Sequence, residues 1–178
     1  ESAMGALTAT AIVRTLKAKA AGGVPTALWL MAAPSAFAFH RAMVAVAAED
    51  AALREVLKKT HFFQFDDYAL PSHHPASFRF LLCQRLFAPL AVYSDASKIH
   101  FLDATAKDMD AECRRYCELV LEHGPDLQLK GTGINGHWGF HEPGIPIDGE
   151  PEFLSVVLAE ENVRQQLQDH PRVFQRPV

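Results

Sequence analysis

A Rossmann-like α/β fold, with three α/β/α layers around a mostly parallel sheet, is what the sequence predicts, on three observations. Short apolar runs alternate with longer segments of helical periodicity, and strands spaced by helices build parallel sheets covered on both faces. The densest group of chemically capable residues, a glycine-rich loop at 131–144, directly follows a strand-like run, which is where open α/β sheets bind ligands. The composition is ordinary for a globular protein, with 178 residues of which 49% are hydrophobic and 21% charged. That length suits a single domain over 1–178, able to bury roughly 70% of its unfolded surface.

The elements follow in order. Residues 2–21 are alanine-rich, with Met4, Leu7, Ala11 and Ile12 at helical spacing, and Gly22-Gly23 closes the helix. Residues 26–31 read as a buried strand. Residues 37–59 read as one helix, carrying Phe39, Met43, Val46 and Ala47 on one face. Residues 61–65 form a second strand-like run that ends in the acids Asp66 and Asp67. Residues 75–90 read as a helix with Phe78, Leu82 and Leu86 inward, and 99–102 as a third strand. The clearest helix is 107–123, with Thr105 as the expected N-cap and Gly124-Pro125 as the stop. Residues 127–129 lead into the glycine-rich loop, and 153–158 read as a further strand.

Three strand ends are expected to build one crevice: Ala32 to Ser35, Asp66-Asp67, and the 131–144 loop. That loop holds five glycines, two histidines, one acid and one amide. Glycines at this density let a backbone turn sharply and let a ligand approach it. His137 supplies a group that gives and takes protons near neutral pH, and Glu142, five positions on, a carboxylate able to orient it.

At these residues the chain resembles the glucosamine-6-phosphate deaminase/isomerase family, which also contains 6-phosphogluconolactonases. The family's loop, G-x-G-x-[ND]-G-H-x-x-F-N-E-P, is matched by 131–143, with His141 in the usual asparagine place. Its strand ending in D-E-Y, followed by L-P and H-P-x-S-[YF], is matched by Asp66-Asp67-Tyr68, Leu70-Pro71 and His74-Pro75-Ala76-Ser77-Phe78. The F-x-E-P tail of the loop favours deaminases over lactonases. The resemblance implies opening of an amino-sugar phosphate, isomerisation from aldose to ketose, and loss of ammonia. It implies Asp66 as the base moving a proton from C2 to C1, His137 as the ring-opening group, Glu142 as the residue holding His137, and Asn135 as a further catalytic position. Ser35, Asp67, Gly133, Gly136, His141 and Arg164 are the expected substrate contacts. No cofactor is implied, and the spacing of the histidines suggests no metal.

Two departures shape the expectation. The family's glycine- and threonine-rich phosphate turn is replaced by Met31-Ala32-Ala33-Pro34-Ser35-Ala36-Phe37, where Pro34 has no N–H to offer. The sequence also lacks counterparts of the family's C-terminal strands and phosphate-binding lysine, so the domain is expected to be incomplete at its C-terminus. Three alternatives stay open: a galactosamine-6-phosphate isomerase, a lactonase in which His137 activates water, or a non-catalytic sugar-binding or regulatory domain. The net charge of −4 gives no reason to expect nucleic acid, and no apolar run reaches membrane-spanning length. Cys83, Cys113 and Cys117 read as reduced thiols, which suits a cytoplasmic location. The partner expected is a small sugar phosphate, with a homo-oligomer as the form of any self-association.

Overall fold

The computed structural model describes residues 1–150 and 152–169. Its sheet consists of β1 (Ala27–Leu30), β2 (His61–Gln64), β3 (Ile99–His100) and β4 (Leu127–Gln128), all parallel, in the order β3-β2-β1-β4. The α/β class and parallel sheet therefore stand as expected. Alternation along the two central strands divides the sheet's faces. Leu28, Leu30 and Phe62 point into the larger core, shared with α1 (Ser2–Ala21), α2 (Phe37–Glu49), α3 (Ala51–Leu57) and α4 (Phe78–Leu82). Ala27 and Phe63 point the other way, against Tyr116 and Val120 of α6 (Met109–His123). This gives the three layers.

Several elements differ from the sequence expectation, each for a local reason. The segment 37–59 is two helices. Asp50, with φ −107° and ψ 96°, leaves the helical region, accepts the Leu53 N–H to cap α3, and pairs with Lys17 of α1. The break re-aims Leu53 and Leu57 into the core. The helix expected from 75 begins at 78, because Ser77 is extended and its Oγ accepts the Phe80 N–H. Ahead of Pro89, which cannot donate to a helical ladder, residues 83–87 open into a π turn that leads to α5 (Ala88–Leu90).

Asp108, not Thr105, caps α6, accepting the Ala111 N–H at 2.9 Å, while Thr105 bonds Asp103 in the preceding turn. Asp110 and Glu112 in the first turn suit that helix end. The stop at Gly124 is as expected, with φ +54°. Residues 153–158 form no strand. Phe153 instead lays its ring on Trp29 and Tyr116, at 5.5 and 4.9 Å between centroids, covering the α6 face of the sheet. A further helix, α7 (Glu160–Asp169), lies where the sequence predicts no element. Among the described residues, no helix is long and apolar enough to cross a membrane.

Tyr116 ties α6 to the end of β2. Its hydroxyl donates to the Gln64 carbonyl at 2.8 Å and lies 3.1 Å from the His100 carbonyl, and the residue is fully buried. Tyr116→Phe keeps the ring and removes both bonds. Urea unfolding should show a loss of about 1 kcal/mol with an unchanged denaturant slope; unchanged stability would mean these bonds hold nothing.

Candidate active site

The three strand ends are neighbours, but they do not line one crevice as the sequence implied: the cleft beside them takes in Asp66, Asp67 and part of the glycine-rich loop and leaves out Ala32 to Ser35. After β1 the chain passes Ala32, which is buried, and turns through a 3-10 segment at Pro34–Ala36 into α2. Ser35 is exposed there, and its Oγ would lie 3.4 Å from a Cβ placed on Gly131, so the turn and the start of the glycine-rich loop are neighbours. After β2 come Asp66 and Asp67. Gly139 of the loop lies against this strand end: a Cβ there would fall 2.0 Å from the Phe65 ring and 3.1 Å from Asp66 Oδ2. At φ +63° the position also suits glycine's backbone.

Asp66 and Asp67 are adjacent but differently used. Asp67 accepts bonds from the N–H groups of Tyr68, Phe78 and Arg79, from Ser77 Oγ and from Gln64 Nε2, all between 2.7 and 3.1 Å. Five donors occupy its two oxygens, so Asp67 pins the start of α4 to the end of β2. Burial pushes its carboxyl up, and the bonds from Phe78, Arg79, Gln64 and Ser77 recover part of that rise. Asp66 has fewer partners. Burial, then the Asp67 charge beside it, raise its pKa to about 8 against the pull of the Phe140 N–H. Some of the residue's surface stays exposed, yet its carboxyl lies under the loop backbone.

The loop folds back on itself through bridges pairing Thr132 with Trp138 and Trp138 with His141. The Gly133 N–H donates to the His137 carbonyl at 2.7 Å, and the Gly136 N–H to the Gly133 carbonyl at 3.1 Å. The His137 ring lies on Gly133, where a Cβ would come within 1.9 Å of it. His137 and Glu142 are both buried, but Glu142 reaches the histidine through an intermediary. Asn135 Nδ2 donates to Glu142 Oε2 at 3.0 Å, and Asn135 Oδ1 lies 2.6 Å from His137 Nδ1.

The polarity of this chain is fixed from its far end. Glu142 also accepts the Ala159 N–H at 3.0 Å and Asn162 Nδ2 at 2.7 Å. Burial pushes its carboxyl up, but the bonds from Asn162, Asn135 and Ala159, with His137 nearby, hold it below the usual value. An ionised carboxylate only accepts, so the Asn135 amide must turn its NH₂ toward Glu142 and its oxygen toward His137. Nδ1 then donates to that oxygen, which leaves Nε2 as the ring nitrogen outside the relay. Asn162, buried on α7, is the residue the sequence reading passed over. A lone asparagine on a polar helix gave no signal, since its role exists only once α7 packs on the loop.

A cleft of about 1340 Å³ opens beside this assembly, bordered by Asp66, Asp67, Trp138, Phe140, His141 and Phe153 among others. His141 stacks on Trp138 and bonds the Ile145 carbonyl through Nε2, and Lys130 Nζ sits 3.8 Å above the Trp138 ring. His137, Asn135, Glu142, Gly133, Gly136 and Ser35 are not part of that cleft's lining. Arg164 lies apart on α7, exposed and ion-paired with Glu160 at 3.2 Å.

No protein-family model matches the chain. It is 40% identical over 97 residues to glucosamine-6-phosphate deaminase 1 of Giardia intestinalis, covering 53% of this chain and 36% of that protein. It is 38% identical over 94 residues to the glucosamine-6-phosphate deaminase of Streptococcus sanguinis, covering 52% and 38%. The chain thus spans well under half the length of these curated relatives. Among solved structures, a monomeric glucosamine-6-phosphate deaminase of the NagB superfamily matches with a TM-score of 0.83 and 26% identity, over 97% of this chain and 69% of that one. The 6-phosphogluconolactonase of Trypanosoma brucei shares the fold, with a TM-score of 0.60 and 20% identity over 80% of this chain and 60% of its own. The resemblance read from the motifs is therefore a relationship in sequence as well as in fold.

The raised Asp66 pKa makes a stability prediction. Between the unfolded value near 3.8 and the folded value of about 8, the native state holds a proton that the unfolded state has released. The contribution is thus fully present below about pH 4 and is lost as pH rises through about 8. Asp66→Asn removes the titration and should melt several degrees above the parent at pH 8, with the gap closing toward pH 4. A gap independent of pH would contradict it.

Proposed function

We propose that this chain carries the active site of a glucosamine-6-phosphate deaminase-like aldose–ketose isomerase. Its substrate is an amino-sugar phosphate, and its products are a ketose phosphate and ammonia. The observation that carries the reading is the Glu142–Asn135–His137 relay, whose bonds set which ring nitrogen of the histidine is free to exchange a proton. A group of that kind suits ring opening, where a proton must be delivered to the ring oxygen and removed from the adjacent hydroxyl. The named function of the relatives and the order of the shared motifs support the same reading.

In this scheme Asp66 acts on the opened sugar. Its carboxylate takes the C2 proton and returns it to C1, turning the aldose into the 2-imino ketose. Water then adds at C2 and ammonia leaves. A carboxylate held in a poorly solvated place is a stronger base than one in water, and burial raises the pKa of Asp66 in that sense. Asp67, occupied by five donors, serves to hold Asp66 in place. The exposed Pro34-Ser35 turn ahead of α2 takes the phosphate, more weakly than a glycine-rich turn would because Pro34 has no N–H.

Incubation with glucosamine 6-phosphate should release ammonia and form fructose 6-phosphate, with kcat/KM rising with pH toward a limb near 8. Asp66→Asn should abolish turnover, and Asn135→Leu should lower kcat by about 100-fold by cutting the relay. Equal turnover in Asp66→Asn would remove it as the base. Faster turnover of 6-phosphogluconolactone than of the amino sugar would assign the site to lactone hydrolysis instead.

A further inference from the structure

At the other end of β2, the fold gathers three histidines from three elements. His61 opens β2, His100 closes β3 and His123 is the last residue of α6. Spacings of 39 and 23 residues hide them from a sequence reading. His61 and Phe63 lie two apart on one face of β2, and Phe63 pairs in register with His100, so strand alternation puts both imidazoles on the α6 side. His61 Nδ1 is 2.9 Å from His100 Nε2, with the rings stacked at 5.2 Å and 7°. The His123 ring stands 4.1 Å from that of His61 and 5.4 Å from that of His100.

We propose that His61, His100 and His123 form a binding site for a divalent transition metal of the zinc class, supplying three imidazole nitrogens and leaving the fourth position to water. One ring nitrogen from each already lies within 4.8 Å of the others. A tetrahedral Zn²⁺ at about 2.0–2.1 Å from each nitrogen needs them about 3.3 Å apart, an adjustment within reach of small ring rotations. The His61–His100 pair would open slightly, and the proton between the facing nitrogens would pass through solvent to the far nitrogen of the same ring, leaving both rings neutral and both facing nitrogens free to ligate.

Two further features suit a metal. His123 Nδ1 sits 3.1 Å from the Leu119 carbonyl, an acceptor that fixes the proton on Nδ1 and leaves Nε2 as the ligand atom. Such an outer bond is the usual way a ligating histidine is oriented. The fully buried Phe63 ring, stacked 4.6 Å from His100, floors the group and shields it on the sheet side. All three histidines keep some exposed surface, which gives an ion a path of entry. The charged groups facing the cluster are mixed in sign: Lys98 and Arg115 on one hand, Asp95 and Glu122 on the other. The site is independent of the proposed enzyme, since His61 and Asp66 are five residues apart along an extended chain, roughly 16 Å. A bound ion would fasten β2, β3 and α6 together.

The test uses the full chain stripped with EDTA, titrated with ZnCl₂ by calorimetry and with CoCl₂ by visible absorption. One equivalent should bind, raise the melting temperature and give the strong absorption of four-coordinate cobalt. His123→Ala should weaken binding at least about 100-fold, while His73→Ala/His74→Ala, His141→Ala and Cys113→Ser/Cys117→Ser bind as the parent does. Should His123→Ala fail to fold, His61→Gln carries the same expectation. Absence of stoichiometric binding in the parent, or binding that survives loss of His123 or His61 and disappears in one of the control variants, would overturn the proposal.

Discussion

The close approach of the Gly139 backbone to the end of β2 is the contact on which the candidate site depends. Any side chain at 139 would meet the Phe65 ring and press on Asp66 Oδ2, so the loop could not settle over the carboxyl. With glycine there, the Phe140 N–H reaches Asp66, and the Phe140 ring packs with Tyr68 and Phe78 at 4.8 and 5.4 Å. The loop is thereby anchored to the same structural corner that Asp67 organises through Phe78 and Arg79. Desolvation of Asp66 follows from this packing, and so does its value as a base.

Glu142 plays the corresponding part for the histidine. Its carboxylate collects Asn135 from the loop, Asn162 from α7 and the Ala159 N–H from the segment between. One buried acid therefore joins the loop to α7 and orients the amide that orients His137. A buried carboxylate is costly unless its lone pairs are satisfied, and here three donors satisfy it. Gln166, bonded to Asn162 and to the Tyr68 hydroxyl, extends the connection back to the strand end that carries Asp66. The relay that holds the histidine is thus tied by polar contacts to Tyr68, beside the Asp66-Asp67 pair.

The parts of this arrangement that were legible in the sequence are those with local causes. Alternating strands and helices, the glycine stop of α6 and the loop following β4 all rest on nearby residues and short-range backbone preferences. The helix break at Asp50 was not legible, because helical periodicity continues across it and only the Lys17 pairing and the cap reveal the turn. The run 153–158 has the apolar content of a strand, yet Phe153 spends it on Trp29 and Tyr116 instead of a ladder. Helix α7 is too polar to stand out, since hydrogen bonds from Asn162 and Gln166 hold it together with the apolar contact of Leu167 on the larger core. In the site, Asp66, His137 and Glu142 were visible as residue types in a motif. The placement of Asn135 between the last two, and the saturation of Asp67 by five donors, depend on three-dimensional packing.

The site rests on burial of the Asp66 carboxyl under the Gly139–Phe140 backbone, which raises its pKa to about 8 and keeps it protonated at neutral pH. Carbon-13 NMR titration of the aspartate carboxyls, with Asp66 assigned by the signal missing from Asp66→Asn, measures this without reference to substrate or activity. A midpoint near 8 for that one carboxyl is the predicted result. A midpoint near 4, where an ordinary exposed aspartate titrates, would show that the loop does not cover it and that the proposed base is not built by this fold.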